Sequence, residues 1–196
     1  GERLARAVAG EWAAQDDDLR AETMPITCLA CTAIDSVRNA REAVIGHTLK
    51  YAGTDLLCYR AVEPDGLKDR QQAQWQSLLD WAAETFDARL VVTEGIVPIT
   101  QSRQALENLS RAVEALDDLQ LSALAAATGA SGSLIIGLAL VHGHIDAEGA
   151  SAAAQLDETW QNEKWGEDPE RSGHRESLKK EIEAAAAVIQ LTGDFV

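Results

Sequence analysis

Aromatic residues other than tryptophan are nearly missing from this chain: 196 residues hold two Phe and two Tyr against five Trp. Basic residues are scarce as well, with 17 Lys plus Arg facing 32 Asp plus Glu for a formal charge of -15. Such a surface repels a nucleic-acid backbone or an anionic membrane face over most of its area, so neither is expected as a partner. Cysteine is limited to Cys28, Cys31 and Cys58, an odd number that implies no disulfide framework and points to free thiols in a reducing compartment. No lysine stands between Lys68 and Lys164, and "TGASGS" (residues 128–133) therefore lacks the G-x-x-x-x-G-K-[ST] pattern of a phosphate loop. Neither G-x-S-x-G nor H-E-x-x-H occurs, so no nucleophile or metalloprotease signature is present.

What is there suits a real core: 46% apolar and 25% charged residues is ordinary globular composition. Leu4, Val8 and Trp12 fall at i, i+4, i+8, which predicts an amphipathic helix ending near the acids of residues 16–18. Pro25 punctuates the next stretch, Thr27 is a plausible cap, and Leu29, Ala33, Ile34 and Val37 make a second helical stripe, with a third helix expected over 42–52. The short apolar runs at 56–60 and 90–93 read as strands that could pair in a minimal sheet. Between them Gln71, Trp75, Leu78, Leu79, Ala82 and Phe86 share one helical face. Beyond Ser102 the pattern is helical almost throughout, including 147–165 and 170–191. The expected fold is mainly α: residues 1–100 mixed α with short strands near 55–60 and 89–94, and 101–196 a helical bundle, the two possibly one continuous domain.

Residues 119–141 carry no charged side chain, which raises a membrane span, since about twenty apolar residues cross a bilayer. The glycines and hydroxyl residues of "TGASGS" divide the run into two short helices instead, a buried hairpin in which Gly132 and Gly137 are expected to let neighbouring helices approach closely.

Each chemical candidate has a plainer reading beside it. "CLAC" (Cys28, Cys31) has thioredoxin-like spacing, but no convincing strand precedes it and ordinary buried thiols are the expectation. A zinc site would need four ligands in a compact pattern, and His47, His142, His144 and His174 are scattered; "HGH" reads as a helix C-terminus. The adjacent acids Asp157 with Glu158, and Glu167 with Asp168, could be drawn as general acid-base pairs, yet neighbours on a helix point in different directions. No cofactor, no metal and no catalytic residue is expected. Surface recognition remains, with Trp and Arg as the enriched anchors. Trp75 and Trp81 read as core, while Trp12, Trp160 and Trp165 lie among acids and amides that suit half-exposed indoles.

Taken in order, "EWAAQ" (11–15), "MPITCLACTAID" (24–35), "YAGTDLLCYRA" (51–61), "RQQAQWQSLLDWA" (70–82), "VTEGIVP" (92–98), "SGSLIIGLAL" (131–140) and "LDETWQNEKWGED" (156–168) resemble the assembly chaperones of the F-type ATP synthase head that take charge of its alpha subunit. These are the mitochondrial F1 assembly factor for that subunit and its bacterial homologues. The resemblance spans nearly the whole chain. It implies a small β-rich N-terminal domain followed by a mainly helical one; this chain starts at the helix that would follow the β domain, which is expected to be absent here. It also implies ATP-independent chaperoning of the F1-ATPase alpha subunit until a beta subunit displaces the chaperone, in the bacterial cytoplasm or, for eukaryotic relatives, the mitochondrial matrix. A protein that caps one subunit is expected to be a monomer. Cys28 and Cys31 depart from the family pattern. On the matching motifs, Asp157, Glu158 and Gln161 would form a polar recognition edge, Trp160 and Trp165 would anchor or support it, Trp12 is a further contact, and Arg60 would hold the acidic helix by a bidentate pair. The competing readings are a thiol-disulfide oxidoreductase using Cys28 and Cys31, and an acidic adaptor of unknown partner.

Overall fold

The computed structural model describes residues 1–166 and 169–192. Helix α1 (Glu2–Ala13) buries Leu4 and packs on the two helices α2 (Pro25–Thr32) and α10 (Pro169–Thr192). Its attachment is polar as much as apolar. The Glu11 carboxylate accepts the N–H groups of Ile26 and Thr27 and the Thr27 hydroxyl at 2.9, 2.7 and 2.7 Å. It thereby caps the first turn of α2 from another helix, where the orphan donors and the positive end of the dipole favour an acid. Thr27, the expected cap, is one of the groups being capped.

A π-helical turn (Ala33–Val37) and a non-helical Ala40 (φ -136°, ψ 37°) put a kink between α2 and α3 (Arg38–Gly53). The kink falls where the two sequence stripes part. Asp55 then turns the chain. Fully buried, it accepts from the N–H groups of Leu57 and Ile135 and from the Ser133 hydroxyl, at 3.1, 3.1 and 2.7 Å. Burial pushes its carboxyl up to about 6 despite those bonds.

Residues 56–58, expected as strand, form instead a 3-10 turn (Leu56–Cys58) under the Asp55 cap, and only Tyr59–Arg60 is strand β1. A short apolar run is compatible with either form, and a capping carboxylate decides for the turn. Strand β2 is likewise displaced along the chain, to Thr93–Glu94. The two strands pair in parallel, Tyr59 with Thr93 and Arg60 with Glu94. Where β1 has curled away, the side-chain amide of Gln101 takes its place, accepting from the Val91 N–H at 2.7 Å and donating to the Val91 carbonyl at 3.0 Å.

Helix α4 (Asp65–Phe86) lies across the core. Trp75 is completely buried and donates its indole N–H to the Ala153 carbonyl at 2.9 Å, as a buried Trp must find a partner. Helix α5 (Arg103–Glu114) starts under the Ser102 hydroxyl, and α6 (Asp118–Ser131) under a reciprocal capping box of Asp117 and Gln120. Every residue of α7 (Leu134–Val141) is buried. A Cβ at Gly137 would lie 2.5 Å from Thr128 Oγ1 and 2.9 Å from Leu124 Cδ1, so this glycine does set the close approach of α6 and α7. Gly132 does something else: nothing lies near its Cα, and its φ of +70° ends α6 in the left-handed region.

Residues 147–165, expected as one helix, are two: α8 (Ala147–Ala154) and α9 (Leu156–Trp165). The break is at Gln155 (φ -106°, ψ 18°), whose side chain exchanges hydrogen bonds with Arg175 of α10, donating to its carbonyl at 2.8 Å and accepting from its Nε at 3.2 Å. One contiguous hydrophobic cluster runs from Val37 through Trp75, Leu109, Leu124 and Ile135 to Ile189. The architecture is mainly α with a two-stranded sheet. Among the described residues no helix is long and apolar enough to cross a membrane.

Candidate functional site: the face carried by α9

Helix α9 follows the break at Gln155 and buries Leu156 alone. Ten residues with one fully buried apolar side chain are held by little hydrophobic burial, so polar contacts and one packed indole, Trp160, set the helix in place. The Asp157 carboxylate accepts from Gln71 Nε2 of α4 at 2.7 Å. Burial raises its pKa, opposed by that hydrogen bond and by the charge of Arg60. Glu158 points the other way, 3.7 Å from Arg175 Nε on α10, while Arg175 also donates to the Thr159 hydroxyl at 3.0 Å. The two neighbouring acids thus serve different helices. The second acidic pair, Glu167 and Asp168, lies outside the described residues.

Trp160 packs its ring edge onto the bare Cα of Gly66, in the first turn of α4; a Cβ there would lie 2.5 Å from Cη2. Its face is covered by the Arg70 guanidinium at 4.7 Å and the Lys164 ammonium at 5.0 Å, geometry suited to cation–π attraction. Arg70 is at the same time paired with both carboxylate oxygens of Glu163, at 2.9 and 2.6 Å, so a planar fork clamps α9 to α4 beside the indole. Trp165, one residue before the helix-closing Gly166 (φ +88°), is 77% exposed. Gln161 is half-buried between them in sequence.

Arg60 does not make the expected bidentate pair with an acid. It is 93% buried over the Trp75 ring, 5.3 Å from its centroid, and its Nη1 donates to the backbone carbonyl of Gln71. Gln71 is the intermediary: its side chain accepts from the Ala61 N–H at 2.8 Å and donates to Asp157. A buried glutamine satisfies a strand end on one side and a carboxylate on the other, which an Arg–Asp pair at this depth could do only with a larger desolvation cost. Trp12, half exposed, rides on α1, away from the α4–α9 contact in its packing onto α2 and α10.

The structure places the expected residues Asp157, Glu158, Trp160, Gln161 and Trp165 together on α9 and sets Trp12 apart from them; Gly66, Arg70, Gln71, Glu163 and Arg175, which hold that helix, were not anticipated from the sequence. One signal was available: Gln71 is the only polar side chain in the apolar stripe of α4. The thiols also depart from expectation. Cys28 and Cys31 are exposed, and only Cys58 is buried. The first-turn amides of α2 that an activated thiol would draw on are occupied by Glu11. Trp81 is half-buried, stacked on His144 at 4.8 Å.

Residues 1–83 match the family model described as ATP12 chaperone protein. The crystal structure of Atp12 from Paracoccus denitrificans superposes with a TM-score of 0.93 and 38% identity, covering 98% of this chain and 83% of that one. A chaperone candidate from Agrobacterium tumefaciens superposes with a TM-score of 0.91 at 35% identity, covering 97% of this chain and 72% of its own. The mitochondrial protein atp12 of Schizosaccharomyces pombe is 25% identical over 210 residues, spanning 99% of this chain and 70% of the relative. Helical architecture and relatives together define the class, an assembly chaperone of the ATP synthase. Within that class, the chain belongs to the ATP12 chaperone family, whose members assist assembly of F1-ATPase.

Proposed function

We propose that the chain binds the unassembled alpha subunit of F1-ATPase, without ATP, and covers the surface that a beta subunit later occupies. A subunit that alternates with another in a ring exposes an apolar interface before assembly, and such surfaces aggregate. Asp157 and Glu158, which bond to α4 and α10 on either side, fix the docking element in place, Gln161 lies on it one turn before its exposed anchor Trp165, and Trp160 with Arg60 supports it from behind. Trp12 is a secondary contact from α1. The observation that carries this reading is Trp165, a large indole held 77% exposed on a helix whose placement is fixed by Trp160, Gly66 and Arg70. A reversible chaperone needs this combination of an aromatic anchor with a charged surround. The protein acts as a monomer, in the bacterial cytoplasm or, in eukaryotic relatives, the mitochondrial matrix.

Light scattering from isolated alpha subunit tests the proposal. Equimolar chain suppresses aggregation with no nucleotide present; Trp165→Ala and Asp157→Lys reduce suppression, and Trp165→Ala does so with an unchanged melting temperature. Full protection by both variants, or no protection by the unaltered protein, sinks it.

A further inference from the structure

The strand β2 has one edge in use and one open. Gly95 donates to the Arg60 carbonyl at 2.8 Å and Val91 is paired with Gln101, so residues of this parity face β1. By the period of two, Val92 and Glu94 turn their N–H groups away from it, and among the described residues nothing accepts from either. Among the described residues, the segment around that edge carries most of the exposed large aliphatic side chains: Val91 at 50%, Val92 at 37%, Val97 at 64% and Ile96 at 94%, with Val62 at 59% beside Gly95. An unpaired, aliphatic edge is what folded proteins normally blunt or cover. Beside it opens a cavity of about 380 Å³ with a largely charged lining, Arg60, Lys68, Asp69 and Gln72 together with Val92, Thr93 and Glu94 of the strand segment, large enough for one polar side chain of an added strand.

The edge is also continuous with the α9 face. Lys68 reaches Glu94 at 3.5 Å, Gly66 and Arg70 hold Trp160 and Glu163, and Gln71 joins Ala61 to Asp157. The first two turns of α4 thus touch β2 on one flank and α9 on the other. Packed elements sit ~10 Å apart, and a standard interface covers roughly 800 Å² per partner, so one subunit seated on α9 spans β2 as well. Resting on the alpha-subunit reading above, we propose that the outer edge of residues 91–94 receives an extended aliphatic segment of the unassembled alpha subunit as a third strand, with Ile96 and Val97, past the turn at Gly95, packing against its end. Backbone pairing supplies affinity, and the cavity selects the side chain, as in other strand-addition complexes.

Binding of the unaltered chain and its variants to immobilised alpha subunit tests this. Glu94→Pro removes the outward N–H and leaves the bonds to β1, since proline is tolerated on an outer edge, and Glu94→Gln, which keeps the N–H but loses the exposed Lys68 ion pair, is the control that binds as the unaltered chain does; Ile96→Lys charges a side chain with no packing to lose. Glu94→Pro and Ile96→Lys each weaken binding by roughly tenfold or more at an unchanged melting temperature. If both variants bind as tightly as the unaltered chain while Trp165→Ala is weakened, the strand-addition inference is overturned and the α9 reading stands. If the unaltered chain does not bind alpha subunit at all, the reading beneath it fails first. A concentration-dependent dimer in sedimentation that Ile96→Lys dissociates also overturns it, by giving the edge to a second copy of this chain.

Discussion

Replacing Gln71 by Met isolates the contribution of the buried amide that ties β1 to α9. Methionine keeps nearly the same length and apolar stem, so the cavity cost is small. The substitution leaves the Ala61 N–H without its acceptor and Asp157 without its donor. An unsatisfied buried backbone donor costs about 1–3 kcal/mol. Asp157 is only half-buried and water partly replaces the amide, which holds its share to about 1 kcal/mol. The total is ~3 kcal/mol, and at ~2–4 °C per kcal/mol for a chain of this size the melting temperature falls by ~6–12 °C. The loss depends on pH with a definite sign. Burial raises the Asp157 pKa above its unfolded value while the Gln71 bond opposes the rise. A raised acid favours folding most at low pH, where it is protonated in both states, and this contribution is lost as pH rises through the folded pKa. Without Gln71 the folded pKa climbs further, so the variant's deficit is smaller in acid than at neutrality. Urea melts of both proteins at pH 4 and pH 7 measure it; equal midpoints, or a deficit that does not change with pH, would refute the reasoning.

Three further perturbations probe other contacts. Gly66→Ala forces the Trp160 ring to shift by about 1 Å to restore ordinary contact distance, so the indole N–H resonance of Trp160 moves and alpha-subunit binding weakens; an unmoved resonance contradicts the packing described. Gly137→Ala overpacks the α6–α7 contact at a cost of about 1–3 kcal/mol, read as a lower urea midpoint, and an unchanged midpoint would show that α7 is free to slide. Burial pushes the Asp55 carboxyl up to about 6, so ~3 kcal/mol of stability is expected below pH 4 and is lost as pH rises through 6. Carboxyl carbon NMR reads the midpoint directly, and a value near 4 disproves the burial argument.

Period carried most of the fold in the sequence. The stripe from Gln71 to Ala82 on α4 is buried as its spacing implies, and the parting of two stripes before residue 42 coincides with the kink at Ala40. What spacing could not show is settled by residues far away in the chain. The turn at Leu56–Cys58 depends on Asp55, whose partners Ser133 and Ile135 lie 78 and 80 residues on. The break at Gln155 depends on Arg175. In the candidate site, the polar and aromatic character of α9 was legible, but not which indole packs: Trp160 and Trp165 differ because a glycine ninety-four residues earlier leaves room for one ring only. Arg60 was expected to grip the acidic helix directly; instead Gln71, hidden inside an apolar stripe, bonds to Arg60 through its carbonyl and to Asp157 through its side chain.

The side-chain amide of Gln101, standing where β1 has turned away, has a thermodynamic consequence for the strand it lines. Together with the Arg60 carbonyl, which accepts from Gly95 at the turn that follows, it holds residues 91–94 in place along β1. Ordering a backbone costs about 1–2 kcal/mol per residue, so these four residues represent ~4–8 kcal/mol of conformational freedom surrendered during folding. A segment arriving at the outer edge then needs to lose only its own freedom, which favours recognition of short and otherwise disordered stretches of chain.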